Sequence, residues 1–357
     1  MRPEPFVWAW PAEPPYADEA VPLRAAPVVD AAGRIYLHVG GRLVALQEEQ
    51  GQARLVWEYV TGSHAPGAVA LAPDGSLRVH TVDGFLHGLL SSGKQAWAPA
   101  LVGEPLGWAA PLVDAAGNTY VCAYDGGLIR VDAQGRMAAD RWLRSRQRFD
   151  TTGLIHEGVL YVGSEDGYVF AVDLAERGVN RWNQAAEQGY TGWFLNAALV
   201  LHEGREVVAA AGDEHLYAFA LDGSLAWKTK VPGQMQGSPA ADRYGHLYVG
   251  VSQSLRGEKP TGRLVSIDAN SHRIRWEYAC ADAVESTPVV GDDDLVYFGD
   301  NSGTVHAVDS RGQAAWTAKV ESPVRSRGAI IAAQRLAVGL DNGTLVVLRC
   351  TAGRAVG

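Results

Sequence analysis

Eight tryptophans recur along this 357-residue chain: Trp8, Trp57, Trp97, Trp142, Trp182, Trp227, Trp276 and Trp316, spaced by 49, 40, 45, 40, 45, 49 and 40 residues. A self-similar unit of about 40–50 residues is the sequence sign of a β-propeller array. One such unit cannot bury its apolar face alone, so its neighbour must cover it.

The units share a common internal order. Before each tryptophan except Trp8 runs a short apolar strand pattern, such as Leu43-Val44-Ala45-Leu46, Val169-Phe170-Ala171-Val172 and Val305-His306-Ala307-Val308. Upstream lies a second β-rich run, as at Leu247-Tyr248-Val249-Gly250 and Val296-Tyr297-Phe298-Gly299. A third apolar run comes first, often after proline, as at Pro27-Val28-Val29 and Pro288-Val289-Val290. Asp74-Gly75, Asp166-Gly167, Asp222-Gly223 and Asn342-Gly343 supply turn chemistry between them. Each unit therefore reads as three strands plus a tryptophan-bearing fourth, one four-stranded antiparallel blade. The fold expected is all-β, an eight-bladed β-propeller forming a single domain over residues 1–357.

The eighth blade lacks a tryptophan of its own. Its first three strands fall at about residues 326–349, and no fourth follows. Phe6-Val7-Trp8-Ala9-Trp10 matches the outer-strand pattern of Leu55-Val56-Trp57-Glu58-Tyr59 and Ile274-Arg275-Trp276-Glu277-Tyr278. Residues 1–10 are thus expected to provide the outer strand of the last blade and to close the ring, removing open sheet edges.

The segments Ala307-Val308-Asp309 … Gly312 … Trp316 and Ala171-Val172-Asp173 … Gly178 … Trp182 resemble the PQQ-binding-like propeller repeat family, which includes quinoprotein alcohol dehydrogenases and the BamB lipoprotein. The resemblance spans nearly the whole chain. It implies that the tryptophan docks each blade onto the next. No tryptophan is followed by aspartate, so the WD40 signature does not fit.

In that family, quinone chemistry goes with an adjacent cysteine pair, a calcium-holding set of acids and amides, and a longer chain. Here Cys122, Cys280 and Cys350 stand far apart and hardly any residues exceed eight bare blades. The expectation is therefore no cofactor, with neither PQQ nor calcium bound. The isolated cysteines form neither a disulfide framework nor a zinc motif, and the ten histidines lack ligand spacing. His38, His87 and His306 fall in strands and are expected to be satisfied there. Asp292-Asp293-Asp294 occupies a hairpin turn position, where polar residues belong without any metal.

Net charge is −9, from 31 basic and 40 acidic residues, which argues against a nucleic-acid partner. The basic run Arg141 to Arg148 reads as an outer strand and loop. No apolar run reaches transmembrane length. With Trp8 so near Met1 there is no room for a signal-peptide core, so the expected location is cytoplasmic, or periplasmic if a leader has been removed.

Where the repeat breaks is where function is expected. The residue opening each inner strand should point at the channel mouth: Arg24, Pro66, Trp108, Asp150, Leu195, Gln236, Glu285 and Arg325. Trp108 and Trp193 are surplus to the docking set and flank Asp150, with Arg148, Phe149 and Asn196 beside them. Aromatic rings around a few polar groups make small-molecule pockets, and aromatics with arginine make protein hot spots. The expected ligand-binding set is Arg24, Trp108, Phe149, Asp150, Trp193, Asn196, Gln236, Glu285 and Arg325. No nucleophile, phosphate-loop or metalloprotease motif occurs. A non-catalytic propeller that holds a protein or small ligand is therefore the first reading. An enzyme using Asp150, Arg148 or Glu285 as acid, base or electrostatic group is the second, and a PQQ-dependent oxidoreductase the third.

Trp108→Ala and Asp150→Asn are each expected to impair function while leaving the melting temperature nearly unchanged. Destabilisation of roughly 3–5 kcal/mol by both would make them core residues instead.

Overall fold

The computed structural model describes residues 6–10, 22–103, 109–123, 126–139, 141–145, 149, 151–176, 179–185, 198–253, 259–268, 270–331 and 334–350. Among the described residues, thirty-two strands form eight separate four-stranded antiparallel sheets, the blades of an eight-bladed β-propeller. In chain order the blades occupy residues 28–60, 70–101, 112–144, 154–185, 200–230, 240–280, 289–319 and 329–349, the last joined by residues 6–10. Two compact units are distinguished. One comprises Met1–Gly40, Val44–Val56 and Val231–Gly357, with blades 6 to 8 and most of blade 1. The other comprises Gly41–Leu43 and Trp57–Lys230, with blades 2 to 5 and the remainder of blade 1.

Burial follows strand position. Second strands such as Ile35–Val39 and Val159–Gly163 are buried at every residue, because both sheet faces meet a neighbouring blade. Outer strands such as Ile274–Cys280 alternate between exposed and half-buried. The cores accordingly lie between blades. One unites Trp8, Leu23, Leu37, Val44 and Leu345 at the junction of blades 8 and 1; another unites Tyr161, Val169, Val207 and Phe219 at that of blades 4 and 5.

The docking tryptophans work by two repeated devices. The first is a β-bulge at the residue before the tryptophan, which makes Val7, Ala96, Arg181, Ala226, Arg275 and Ala315 the unpaired extra residue. A bulge bends the strand and re-aims the following side chain. The residue opposite the ring is small in five of these six blades: Gly88, Ala171, Ala218, Ser266 and Ala307. A Cβ on Gly88 would lie 2.1 Å from the Trp97 ring.

The second device joins blades. The indole N–H of Trp57 donates to Ser91 O at 3.1 Å, that of Trp182 to Leu221 O at 3.0 Å, that of Trp276 to Ser310 O at 3.0 Å and that of Trp316 to Cys350 O at 2.9 Å. The first three acceptors lie in the turn before the next blade's outer strand. The glycine of that turn packs on the ring face, so a Cβ on Gly93, Gly223 or Gly312 would come within 2.6, 2.8 or 2.7 Å of it. These glycines also hold φ values of 84°, 92° and 78°. The turn must therefore be glycine for both space and backbone conformation.

The N-terminal strand Phe6–Trp10 pairs antiparallel with Leu345–Arg349 and completes blade 8. Trp8 and Trp10 are buried there among Leu23, Leu345 and Val347. Deleting residues 1–10 removes that strand's hydrogen bonds and both rings. The expected loss is on the order of several kcal/mol, read as a lowered melting temperature; an unchanged melting temperature would contradict the pairing.

Candidate functional site

A repeated anchor fixes the backbone beside the residues expected at the channel mouth. The hydroxyls of Thr151, Ser286 and Ser326 each bond both the N–H and the C=O of a glycine ending the adjacent strand: Gly163, Gly299 and Gly339. These hydroxyl residues are buried, which turns the preceding residue outward. Glu285 and Arg325 precede Ser286 and Ser326, and both are half-buried.

Three of the expected mouth residues meet in one ionic network. Arg24 approaches Asp341 with Nε 3.3 Å from Oδ1 and Nη2 3.4 Å from Oδ2. Arg325 donates to the same Asp341 carboxylate through Nη1. Its Nε also lies 2.9 Å from Glu285 Oε2 and 3.0 Å from Asn301 Oδ1. Asn301 Nδ2 donates to Glu285 Oε1 at 2.7 Å. Acid and base thus alternate through Glu285, Arg325, Asp341 and Arg24, and both oxygens of Glu285 are occupied. Such a carboxylate is held as an acceptor on both oxygens.

Asp341 and Asn301 were not anticipated. Both lie in second-to-third-strand turns, Leu340-Asp341-Asn342-Gly343 and Asp300-Asn301-Ser302-Gly303, whose sequences read as ordinary turn chemistry. The usable signal was that these turns share a face with the mouth residues.

Phe149 corrects its assignment. It is fully buried and packs edge-to-face on Phe170, with ring centroids 5.5 Å apart, inside the core of blades 3 and 4. Its aromatic surface belongs to that core and not to the mouth. Gln236 is exposed and stands outside the ionic network. Trp108, Arg148, Asp150, Trp193, Leu195 and Asn196 lie outside the described residues.

Arg327 was also missed. It sits two residues beyond the mouth position, where the strand registers place Ala26, Ala68, Ala110, Thr152, Ser238 and Thr287 in other blades. A guanidinium in a slot otherwise filled by small residues stands out. Arg327 is solvent-exposed, yet its crowded surroundings remove enough water to pull its pKa down. It makes no hydrogen bond or ion pair with the described residues.

Other features take structural roles. Asp293 accepts the Tyr297 hydroxyl at 2.6 Å, as Asp30 and Asp242 accept Tyr36 and Tyr248, so the acidic run is the repeat's hairpin turn. His87 and His306 are hydrogen-bonded by Tyr59 and Tyr278. None of the three cysteines is in a disulfide. Among the described residues one metal-ligating set gathers, Cys280, Asp300 and His306. No helix of the described residues is long and apolar enough to cross a membrane.

The family model described as outer membrane protein assembly factor BamB matches residues 148–253 and 212–357. The chain belongs to this PQQ-like β-propeller repeat family. Among solved structures it is similar to BamB from Moraxella catarrhalis, at 16% identity and a TM-score of 0.72, over 93% of this chain and 97% of that one. A quinohemoprotein alcohol dehydrogenase from Comamonas testosteroni aligns at 13% identity and a TM-score of 0.74, over 98% of this chain and 77% of that one. A europium-containing methanol dehydrogenase aligns at 14% identity and a TM-score of 0.72, over 94% and 84%. No protein of curated function matches the sequence significantly. At these identities the structural likenesses concern the fold.

If the network is cooperative, Glu285→Gln and Arg325→Met are coupled by about 1 kcal/mol in a double-mutant cycle read by denaturant unfolding, as expected for half-buried pairs. Asp341→Asn, which weakens two arginine contacts, destabilises more than Glu285→Gln. Additivity within about 0.3 kcal/mol would show independent surface pairs.

Proposed function

We propose that this BamB-like chain is a non-catalytic binding propeller, holding a protein or a small ligand at the channel mouth. The observation that carries the reading is the contrast within one patch of blades 1, 7 and 8. There Glu285, Arg325, Asp341 and Arg24 satisfy one another, and Arg327 has no hydrogen-bond or ion-pair partner among the described residues. A preformed network presents a shape and a charge pattern without a free base. The lone guanidinium favours an anionic group, a carboxylate of a protein segment or of a small molecule. BamB is named as an assembly factor, which agrees with a protein-binding role.

The enzyme reading keeps a weaker basis. Of its acid and base candidates, Glu285 is committed to Arg325 and Asn301, while Asp150 and Arg148 lie outside the described residues. Quinone-dependent oxidation is suggested by the dehydrogenase neighbours. The residues present fit that cofactor poorly: Cys122, Cys280 and Cys350 are free thiols in three different blades, so no adjacent pair can form the ring disulfide. Three free thiols are also compatible with the reducing cytoplasm proposed as its location.

Two measurements test the proposal. A tagged wild-type chain is expected to retain a partner or anionic ligand from its own cell extract that Arg327→Glu loses, with melting temperatures within about 2 °C, as for most surface changes. Equal retention by the variant would place binding elsewhere. Added PQQ and calcium should give no stoichiometric uptake in absorbance and metal analysis; tight uptake of both would overturn the binding-module reading.

A further inference from the structure

Blade junctions among the described residues share a four-residue slot, from the outer strand of one blade and the second and third strands of the next. The same backbone contacts define it: the N–H of Thr61, Val102 and Val320 reaches the O of Gly41, Gly84 and Gly303, and the N–H of Thr81, Ala123 and Leu340 reaches the turn carbonyl four residues on. Between blades 2 and 3 the slot holds Ala100, Val102, Ala123 and Ile129. Between blades 7 and 8 it holds Ala318, Val320, Leu340 and Val346. These are ordinary apolar packing.

Among the described residues, the blade 1–2 and blade 6–7 junctions fill this slot with polar groups. Between blades 1 and 2 the slot holds Tyr59, Thr61, Thr81 and His87, with Tyr59 Oη 3.4 Å from His87 Nδ1 and Thr81 Oγ1 3.3 Å from Nε2. Between blades 6 and 7 the same sequence offset gives Tyr278, Cys280, Asp300 and His306. Tyrosine and histidine are kept, while the two threonines become a thiol and a carboxylate. Tyr278 Oη lies 3.2 Å from His306 Nδ1, and Asp300 Oδ2 lies 3.2 Å from Nε2. The ligand atoms of Cys280, Asp300 and His306 all fall within 4.8 Å of one another.

We propose that Cys280, Asp300 and His306 form a zinc-type divalent-cation site clipping blade 6 to blade 7, beside the rim residue Asn301. Thiolate, imidazole and carboxylate together are zinc ligands, and bond lengths of about 2.0–2.3 Å with tetrahedral angles put neighbouring ligand atoms about 3.3–3.6 Å apart. The imidazole–carboxylate pair, at 3.2 Å, lies just inside that spacing and needs only to open slightly. Its supporting contacts are those of a built site. Asp300 Oδ1 accepts the backbone N–H of Ser302 at 3.0 Å and of Thr304 at 2.9 Å, leaving Oδ2 to face the cluster. Tyr278 holds Nδ1, and Phe298 stacks on the His306 ring at 4.8 Å. Such outer contacts orient metal ligands.

Electrostatics point the same way. Asp300 is fully buried, and its one ion-pair partner among the described residues is His306, charged only when protonated. Buried charges are normally paired or metal-bound. A Cys–His–Asp nucleophile fits less well, because Tyr278 and Asp300 engage both ring nitrogens. Binding a cation releases the thiol proton to solvent, leaving the thiolate on the metal. Cys280 is only half-buried, which gives the ion an entry path and leaves a fourth position for water.

The test uses the full chain freed of metal by chelation. Cobalt(II) is titrated first and zinc(II) then displaces it. The wild type is expected to take up one cobalt per chain with a thiolate-to-metal charge-transfer band, and to melt higher with zinc. The variant C280T/D300T carries the residues the blade 1–2 junction already uses. It should fold, show no such band and bind on the order of 100-fold more weakly. Cys280→Ser, which nearly keeps the side-chain volume, should also lose the band. Absence of the band in the wild type, or equal affinity in C280T/D300T, overturns the proposal.

Discussion

An indole seated on a glycine turn of the next blade is the contact on which the rest of this structure depends. A single four-stranded sheet of this size has two apolar faces and no means to cover either. The tryptophan ring covers one face, its N–H satisfies a turn carbonyl that would otherwise be buried, and the glycine lets the backbone approach the ring. The bulge before the tryptophan aims the ring, and a small residue opposite leaves room for it. Sequence, strand register and packing all agree on this joint, and such agreement across levels specifies one fold.

Because this joint recurs at Trp57, Trp182 and Trp276, with the Trp97 ring also seated on a turn glycine, it frees other positions to differ. The serine or threonine anchors at 151, 286 and 326 hold the inner strands, so the preceding side chains can vary without loosening a blade. The chain uses that freedom for the ionic network around Arg325 and for the guanidinium of Arg327. At the blade 6–7 junction it also departs from apolar packing, replacing a hydroxyl pair with Cys280 and Asp300 around a histidine that is repeated in kind at His87. Both departures fall within blades 6 to 8 and 1, where Asp300 and Asn301 are consecutive residues of one turn.

The sequence made the blade count, the strand order and the role of Phe6–Trp10 readable, since periodicity and turn residues are local signals. The bulges were not readable, because one unpaired residue leaves no mark in an alternating pattern. Glu285, Arg325 and Arg24 were found by position in the repeat, whereas their partners Asp341 and Asn301 hid inside turn sequences that explain themselves. Phe149 was misassigned because an aromatic beside a mouth position looks the same whether it turns to the channel or into the core. The Cys280–Asp300–His306 set has no motif spacing, since its members come from two sheets and meet only through the junction.

The central claim is a division of labour between a recurrent joint that holds the fold and a variable mouth proposed for recognition. A saturation scan of every position, selected only for folded stability, tests it most directly. The account predicts intolerance at the docking tryptophans, their facing small residues and Gly93, Gly223 and Gly312, and broad tolerance at Gln236, Glu285, Arg325 and Arg327. A mouth as intolerant as the joints would contradict it, and would make those residues part of the scaffold.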